Sequence, residues 1–275
     1  MDQKLKNLLE RLSTLPTQSN EFYTYYIKFV GKYGKLIRYG DGRGDEVYIG
    51  YQGDEVPVMV RMFREYIKQF YPEFVLNQFN EPAIDQLAKI AAGKSEKRGI
   101  VLHGPVGSGK TTLLLLWTEF RQQILTTIHP VKGKSISYWL LTPRDAIKQF
   151  LSEGFEYYDR SFGDILILDD IGVTTEGNYF GTKTNLLADI ICSRYDRFKR
   201  VQWLELYATT NLLSNEMEKV IGPRAWSRLQ EMTAWNEGAI TSEDHRKGSP
   251  LKKWPSPEFY NHKYELSPIT YNPKP

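Results

Sequence analysis

The pattern of apolar residues changes twice in the first part of the chain. Leucines recur at helical spacing from residue 4 to residue 15, which predicts a short amphipathic helix. Aromatic and β-branched residues dominate from 22 to 52, with a glycine-rich turn between two short runs, which predicts a β-hairpin or meander. Helical spacing returns from 58 to 70. Together these elements predict a small α+β accessory module over residues 1 to 75.

Strand and helix patterns alternate in the middle of the chain, after a predicted helix at 84 to 92. Such alternation favours a parallel sheet with helices on both faces, which is an α/β fold. Thr142 precedes Pro143 at one helix start, where the threonine can cap the first turn. Strands are predicted at 100–102, 136–141, 165–168 and 203–209, and helices at 110–125, 143–152 and 183–198.

The end of the chain, residues 248 to 275, has a different composition. It contains six prolines and no periodic apolar face, which predicts a flexible or draped tail. Residues 76 to 247 are therefore expected to form the main α/β domain. The accessory module before it is expected, from its position, to bind a partner.

The overall composition excludes several classes of protein. A hydrophobic content of 41% is enough for a buried core. The balance of 36 basic against 33 acidic residues gives a net charge of +3, which permits a local nucleic-acid contact without requiring one. Cys192 is the single cysteine, which excludes an internal disulfide and a cysteine-rich zinc module. No apolar stretch reaches 18 residues and no signal peptide is evident, so a cytoplasmic protein is expected.

A phosphate-binding loop follows the apolar run at 100 to 102 and precedes a helical run. Its glycines allow tight turns that aim backbone amides at phosphate oxygens, and the helix adds its positive end. Lys110 is expected to reach the β- and γ-phosphates, and the Thr111 hydroxyl is expected to hold Mg²⁺. A glycine turn with a surface lysine is the alternative interpretation. The residues predicted to bind nucleotide are Gly104, Pro105, Val106, Gly107, Ser108, Gly109, Lys110, Thr111 and Thr112.

A second acidic motif, Asp169 and Asp170, follows the apolar run at 165 to 168. Four apolar residues predict a buried central strand, whose carboxyl end delivers both carboxylates to the ligand edge of the sheet. Asp169 is expected to hold Mg²⁺ through water, and Asp170 to position or deprotonate the attacking water. A solvated acidic turn is the alternative.

Polar residues after the next strand add to this edge of the sheet. Asn211 can orient the water or sense the γ-phosphate, or it can serve as a turn or cap residue. Arg224 and Arg228 lie four residues apart on one face of a predicted helix that starts near Pro223. One of them can reach the γ-phosphate of a neighbouring subunit, or both can be solvated surface residues.

The order of these motifs resembles the AAA+ ATPases of the DnaC-type replicative helicase-loader family and the related IstB-like transposition helper ATPases. The motifs are the phosphate loop, Leu-Ile-Leu-Asp-Asp-Ile-Gly, Ala-Thr-Thr-Asn, Gly-Pro-Arg-x3-Arg-Leu and Ser-Glu-Asp-His-Arg-Lys. The resemblance covers residues 75 to 247. It implies a P-loop core of the AAA+ (ASCE) type that binds ATP and Mg²⁺, hydrolyses ATP slowly with stimulation by DNA or a partner, and self-associates through the ATP site.

The resemblance also implies roles for individual residues. Asn211 becomes the sensor-1 residue, Arg224 or Arg228 the arginine finger, and Arg246 a terminal arginine near the nucleotide. The implied function is that of a helicase loader, which binds a replicative helicase and single-stranded DNA under ATP control. Two features depart from the family: only residues 143 to 162 occupy the place of its helical insertion, and the N-terminal module lacks a cysteine cluster.

Other functions stay open at this stage. A transposition helper would bind a transposase and duplex DNA. A kinase for a small metabolite also uses Gly-Lys-Thr-Thr, although no arginine-rich lid is evident. A nucleotide-gated scaffold is possible because Asp170 stands where vigorous AAA+ hydrolases have glutamate. Aromatic and basic residues interleave from 22 to 39, which suits either a surface for single strands or the core of a small sheet.

Overall fold

The computed structural model describes residues 34–39, 46–51, 54–121, 138–153, 163–172, 176–179, 182–201 and 204–241. The helix predicted at 4 to 15, the aromatic and basic residues from 22 to 33, the proline-rich tail and Arg246 lie outside these ranges. The strands are β1 (Gly34–Tyr39), β2 (Glu46–Tyr51), β3 (Gly99–His103), β4 (Tyr138–Leu141), β5 (Ile165–Ile171), β6 (Glu176–Tyr179), β7 (Thr182–Asn185) and β8 (Glu205–Thr210). The α-helices are α1 (Glu55–Phe70), α2 (Glu81–Ala91), α3 (Lys110–Phe120), α4 (Pro143–Glu153), α5 (Leu186–Phe198) and α6 (Ser214–Met232).

A four-stranded parallel sheet with the order β3-β8-β5-β4 lies at the centre. The middle of each strand is apolar because both faces of the sheet are covered by helices, and the polar residues lie near the strand ends. Alternate residues of β5 show the two faces: Ile165 and Ile167 pack with α1, α2 and α3, whereas Leu166 and Leu168 pack with α4, α5 and α6. The predicted α/β fold, a P-loop core with a parallel sheet flanked by helices, is confirmed.

The free edge of β3 is covered by the chain that follows α6. Ala234 N donates to Gly99 O at 2.8 Å, Val101 N donates to Ala234 O at 2.9 Å, and Ile240 N donates to His103 O at 2.8 Å. A 3-10 turn at Asn236–Gly238 lies between these contacts. Covering this edge removes unpaired backbone groups and brings residue 240 to the end of β3, where the phosphate loop begins.

Helix α1 shares a hydrophobic core with the sheet. A buried carboxylate connects it to α3: Tyr66 donates to Glu119 Oε1 at 2.6 Å, and Tyr71 donates to the same carboxylate at 2.7 Å. Burial and the adjacent Glu119 charge raise the pKa of both tyrosines, so both stay protonated hydrogen-bond donors. Residues 54 to 71 are thus attached to the nucleotide-loop helix, whereas the domain division near residue 75 stays a prediction.

Helix α6 consists of two segments joined by a kink. Gly222 has φ 79° and ψ 156°, which interrupts the helix, and Pro223 begins the second segment. The kink deprives nearby carbonyl groups of their helical partners, and the side chain of Asn185 donates to Val220 O at 2.6 Å. The sequence predicts a helix that starts near Pro223, and the structure joins it end to end with a preceding segment that begins at Ser214.

The structure corrects one predicted helix. Residues 182 to 185 form strand β7, which pairs antiparallel with β6, and α5 begins at Leu186 instead of 183. The β-branched residues Thr182 and Thr184 favour a strand. Asn185 then accepts from Ala188 N at 3.2 Å and caps α5, which fixes where the helix starts.

The other predicted elements match within the described residues. β1 and β2 form the expected antiparallel hairpin. Thr142 caps α4, since its hydroxyl accepts from Asp145 N at 3.2 Å. Among the helices that the structure describes, none is long and apolar enough to cross a membrane.

Candidate active site

The phosphate loop connects β3 to α3 through three glycines with positive φ. Gly107 has φ 79° and Gly109 has φ 85°. Gly104 has φ 144°, and a Cβ added there would lie 2.0 Å from Ile240 O. A larger residue at position 104 would therefore clash with the chain that covers β3. The loop geometry at this position depends on glycine for its size as well as for its backbone.

The ammonium group of Lys110 lies at the centre of the loop. It donates to Gly104 O at 2.9 Å, to Pro105 O at 2.7 Å and to Asn211 Oδ1 at 2.8 Å. Lys110 is 7% exposed, so its charge acts in a weakly screened environment. The loop lysine and the polar end of β8 are thereby brought together, as the motif spacing predicts.

Thr111 meets the first carboxylate of the acidic motif. Its hydroxyl donates to Asp169 Oδ1 at 2.7 Å, and the hydroxyl of Thr209 donates to the same oxygen at 2.7 Å. Thr111 is the second residue of α3 and Asp169 lies near the end of β5, so the contact joins two elements that are far apart in the sequence. The two predicted metal ligands are therefore neighbours.

Asp170 points along the same edge of the sheet. Its side chain is exposed, and its Oδ1 accepts from Asn211 Nδ2 at 3.1 Å. Because Asn211 also accepts from Lys110, the amide of Asn211 connects the loop lysine to the second carboxylate. The prediction that these residues share one edge is confirmed by the geometry, while their roles in a reaction stay predictions.

The two candidate arginines have different surroundings. Arg228 donates to Cys192 O at 3.3 Å, pairs with Asp196 at 3.3 Å and lies over the Tyr195 ring at 4.9 Å. Arg224 is exposed, and its guanidinium makes no hydrogen bond or ion pair with the part of the chain that the structure describes. Arg228 is thus held by α5 of its own subunit, and Arg224 extends into solvent. The third candidate arginine, at position 246, lies outside the described residues.

Three aromatic rings pack together at the end of β3, where the phosphate loop begins. The His103 ring stacks on Trp235 at 4.5 Å, and Trp226 packs edge-on against Trp235 at 5.1 Å. Burial, opposed by the hydrogen bond to the Trp235 carbonyl and reinforced by the nearby Lys110 charge, lowers the pKa of His103. His103 therefore packs against Trp235 at the end of β3 and has a structural role there.

The residues at this edge suit a nucleotide and Mg²⁺. Thr111 and Asp169 present oxygen atoms, which are the ligands that Mg²⁺ prefers, usually together with substrate phosphates. Among the described side chains, no group of three or more His, Cys, Asp or Glu could hold a metal by itself. The amides at the start of α3 and the ammonium of Lys110 match phosphate in charge.

One residue of the site is absent from the sequence-based prediction. Thr209 contacts both carboxylate residues, because its hydroxyl also accepts from Asp170 N at 2.7 Å. The signal in the sequence is weak, because Thr209 is one of several polar residues in β8 and its spacing in the strand does not distinguish it. Its partners are 40 and 39 positions away, so only the pairing of β5 with β8 reveals the role.

The fold and this site define an α/β P-loop core in which strand β8 separates the loop strand from the Asp-Asp strand. No protein-family model matches the chain, and no curated protein sequence matches it.

Solved structures with a similar fold include AMPPCP-bound DnaA from Aquifex aeolicus, at 15% identity and a TM-score of 0.43 over 60% of this chain and 48% of that chain. Domain III of the Thermotoga maritima replication initiation protein DnaA is 16% identical, with a TM-score of 0.45 over 64% of this chain and 68% of that domain. The chain thus spans about half the length of the first of these structures (48%).

Proposed function

We propose that this chain is a slow ATPase of the AAA+ type that acts in DNA replication as a helicase loader. In this role it binds a replicative helicase and single-stranded DNA under ATP control. The observation that best supports hydrolysis is the set of hydrogen bonds that joins Lys110, Asn211 and Asp170 and places Thr111 beside Asp169. Few purposes other than phosphate chemistry require a lysine, two carboxylates and an amide at the end of a glycine loop.

Each residue has a distinct task in the proposed reaction. Lys110 and the amides at the start of α3 bind the phosphates and stabilise the charge on the transferring phosphoryl group. Thr111 and Asp169 would hold Mg²⁺, which supplies further neutralisation of phosphate charge when bound. Asp170 and Asn211 orient the attacking water, since both side chains lie at the solvent-facing end of this group.

Arg224 is the better candidate for the arginine finger. A finger has to reach the γ-phosphate on a neighbouring subunit, so its side chain has to extend from its own subunit. Arg224 does so, whereas Arg228 already contacts α5. Arg246 lies five positions beyond Thr241, and the chain at Ile240 adjoins Gly104. That short separation supports the proposal that Arg246 contacts nucleotide in its own subunit.

The partner assignment depends on the resemblance to helicase loaders. The accessory module is assigned to the helicase from its position in the chain alone, and hydrolysis acts as a release switch. Helix α1 supports a link between this module and the nucleotide site, because Tyr66 and Tyr71 bind Glu119 on the helix that begins with Lys110. Cytoplasmic localisation follows as part of the same proposal.

ATP hydrolysis with and without single-stranded or duplex DNA tests the proposal. Lys110→Ala is expected to abolish nucleotide binding, and Arg224→Ala to abolish DNA-stimulated turnover while leaving nucleotide binding intact. Lys89→Ala and Arg144→Ala are matched controls: Lys89 lies in an exposed i,i+4 pair on α2, and Arg144 is exposed on α4.

The pattern of stimulation separates the candidate functions. Stimulation by single strands that both variants lose supports a loader with a shared site. A preference for duplex DNA would indicate a transposition helper. Hydrolysis that ignores DNA and survives Arg224→Ala contradicts the shared site, and unchanged activity in Lys110→Ala contradicts the site itself. Tight ATP-dependent DNA binding with no turnover would indicate a nucleotide-gated scaffold.

A further inference from the structure

The two carboxylates of the site lie at an irregular point of the sheet. Leu168 pairs with Ala208 and Ile171 pairs with Thr210, so two residues of β5 oppose the single residue Thr209 of β8. An extra residue in one strand is a β-bulge, which bends the strand and leaves a residue without its ladder partner. The bulge consists of Asp169 and Asp170.

The bend is concentrated at Asp170. Its φ is 58°, and within the ranges that the structure describes it is the one non-glycine residue with positive φ. This left-handed conformation is unfavourable for a residue with a side chain and persists only where its surroundings hold it. A specific contact is therefore needed to keep the Asp170 carboxylate in place.

The hydroxyl of Thr209 supplies that contact. It accepts a hydrogen bond from Asp170 N at 2.7 Å, in place of the missing ladder partner, and donates to Asp169 Oδ1 at 2.7 Å. Thr209 is 2% exposed, so bulk water does not compete for these bonds. The adjacent Thr210 donates to Ile171 O at 2.5 Å and closes the far end of the bulge.

We propose that Thr209 is a positioning residue that sets the geometry of both carboxylates through one hydroxyl group. It keeps Asp170 in the left-handed conformation in which its carboxylate meets Asn211, and it orients Asp169 beside Thr111. Thr209 acts through these two residues and contacts no substrate itself. The proposal rests on the proposed ATPase function, in which Asp170 orients water.

Two substitutions at Thr209 separate the hydroxyl from the methyl group. Thr209→Val keeps the shape and removes the hydroxyl, and it is expected to lower kcat about 100-fold because misplaced catalytic groups carry a cost of that order. KM for ATP is expected to stay within about threefold, since the phosphate loop is unchanged. Thr209→Ser keeps the hydroxyl and removes a buried methyl, so it is expected to lower Tm while kcat stays within about threefold of wild type.

Thr233→Val is the matched control. Thr233 directly follows α6 and is 3% exposed, and its hydroxyl donates to Leu229 O at 2.6 Å, so this variant also removes one buried hydroxyl. Its kcat is expected to equal that of wild type. Equal kcat values for Thr209→Val and Thr233→Val would overturn the proposal. If Thr209→Val does not fold, loss of kcat in folded Thr209→Ser overturns it instead.

Hydrogen exchange at the Asp170 amide, followed by NMR, is independent of turnover. The amide is expected to be protected in wild type and in Thr209→Ser, and to exchange at least about tenfold faster in Thr209→Val. Equal protection in all three proteins would contradict the positioning role. Absence of ATP hydrolysis in wild type would contradict the proposed function alone, and the amide exchange would then decide the role of Thr209.

Discussion

Arg224 and Arg228 lie one helical turn apart in α6, yet their surroundings predict that substitution affects stability at Arg228 and turnover at Arg224. Arg228→Ala removes an ion pair with Asp196 and a cation–π contact with Tyr195. Such partly exposed contacts contribute about 1 kcal/mol together, so the free energy of unfolding is expected to fall by about that amount. Arg224→Ala removes no contact with the described part of the chain, and its effect is expected to stay within about 0.5 kcal/mol.

Urea denaturation measures the difference in stability between the two variants. ATP turnover at high protein concentration measures their difference in activity. Arg224→Ala is expected to lose assembly-dependent turnover at nearly unchanged stability, because the finger acts on a neighbouring subunit. Arg228→Ala is expected to keep most of its turnover when the assay is run without denaturant on fully folded protein. The reverse result would assign the finger to Arg228.

At the scale of elements, the kink in α6 connects fold and function. Gly222 has a backbone conformation, φ 79° and ψ 156°, that is almost restricted to glycine. A Cβ at this position would meet no atom within 4 Å, so Gly222→Ala introduces backbone strain without a clash. We expect it to lower the free energy of unfolding by about 1 to 3 kcal/mol and to reduce turnover, because Arg224 lies two residues beyond the kink.

Gly93→Ala provides the control for that substitution. Gly93 has φ 66° after α2, and a Cβ there would also meet no atom within 4 Å. It is expected to lower stability by about 1 kcal/mol and to leave turnover unchanged. Thermal denaturation and ATPase assays on both variants make the comparison. Equal losses of turnover in the two variants would show that the kink does not position Arg224.

The elements also show how far sequence patterns reach. The apolar runs at 100–102 and 165–168 predict β3 and β5, since a fully buried strand leaves a continuous apolar run. The hairpin of β6 and β7 is missed because its residues are largely polar and carry no apolar alternation. The helix predicted from residue 183 overlaps most of β7. The Asn185 cap fixes the start of α5 at Leu186.

At the scale of the whole molecule, α1 belongs to the same packed unit as the nucleotide site. Six of its side chains are at most 2% exposed, and burying each contributes about 1.5 to 3 kcal/mol, so together they match or exceed about 10 kcal/mol. A domain of this kind has a total stability of about 5 to 15 kcal/mol. The six residues are Val58, Met59, Met62, Phe63, Tyr66 and Ile67.

Two truncated chains test this attachment. A chain of residues 54 to 275 is expected to fold and to bind an ATP analogue, because it keeps α1 and its contacts with α3. A chain of residues 76 to 275 is expected to fail in both, because it exposes that apolar surface and leaves Glu119 without Tyr66 and Tyr71. Circular dichroism and fluorescent-nucleotide binding measure the two properties. A folded, nucleotide-binding chain of residues 76 to 275 would place the domain boundary near 75, as the sequence predicts.

The sequence by itself determined the phosphate loop, the buried Asp-Asp strand and the α/β fold class. These features depend on residues that are neighbours in the chain: glycines before a helix, apolar runs of strand length and caps such as Thr142. The chemistry of a phosphate loop is contained in one continuous segment, so its residues can be read directly.

Only the tertiary structure decided the features that depend on residues far apart in the chain. Thr209 meets Asp170 across 39 positions, and the left-handed bend at Asp170 exists because β5 and β8 pair with one residue out of step. The different surroundings of Arg224 and Arg228 follow from the packing of α5 against α6. The periodicity of one segment does not show which residues of another segment will lie beside it. Hydrogen bonds between distant segments therefore cannot be predicted from that periodicity.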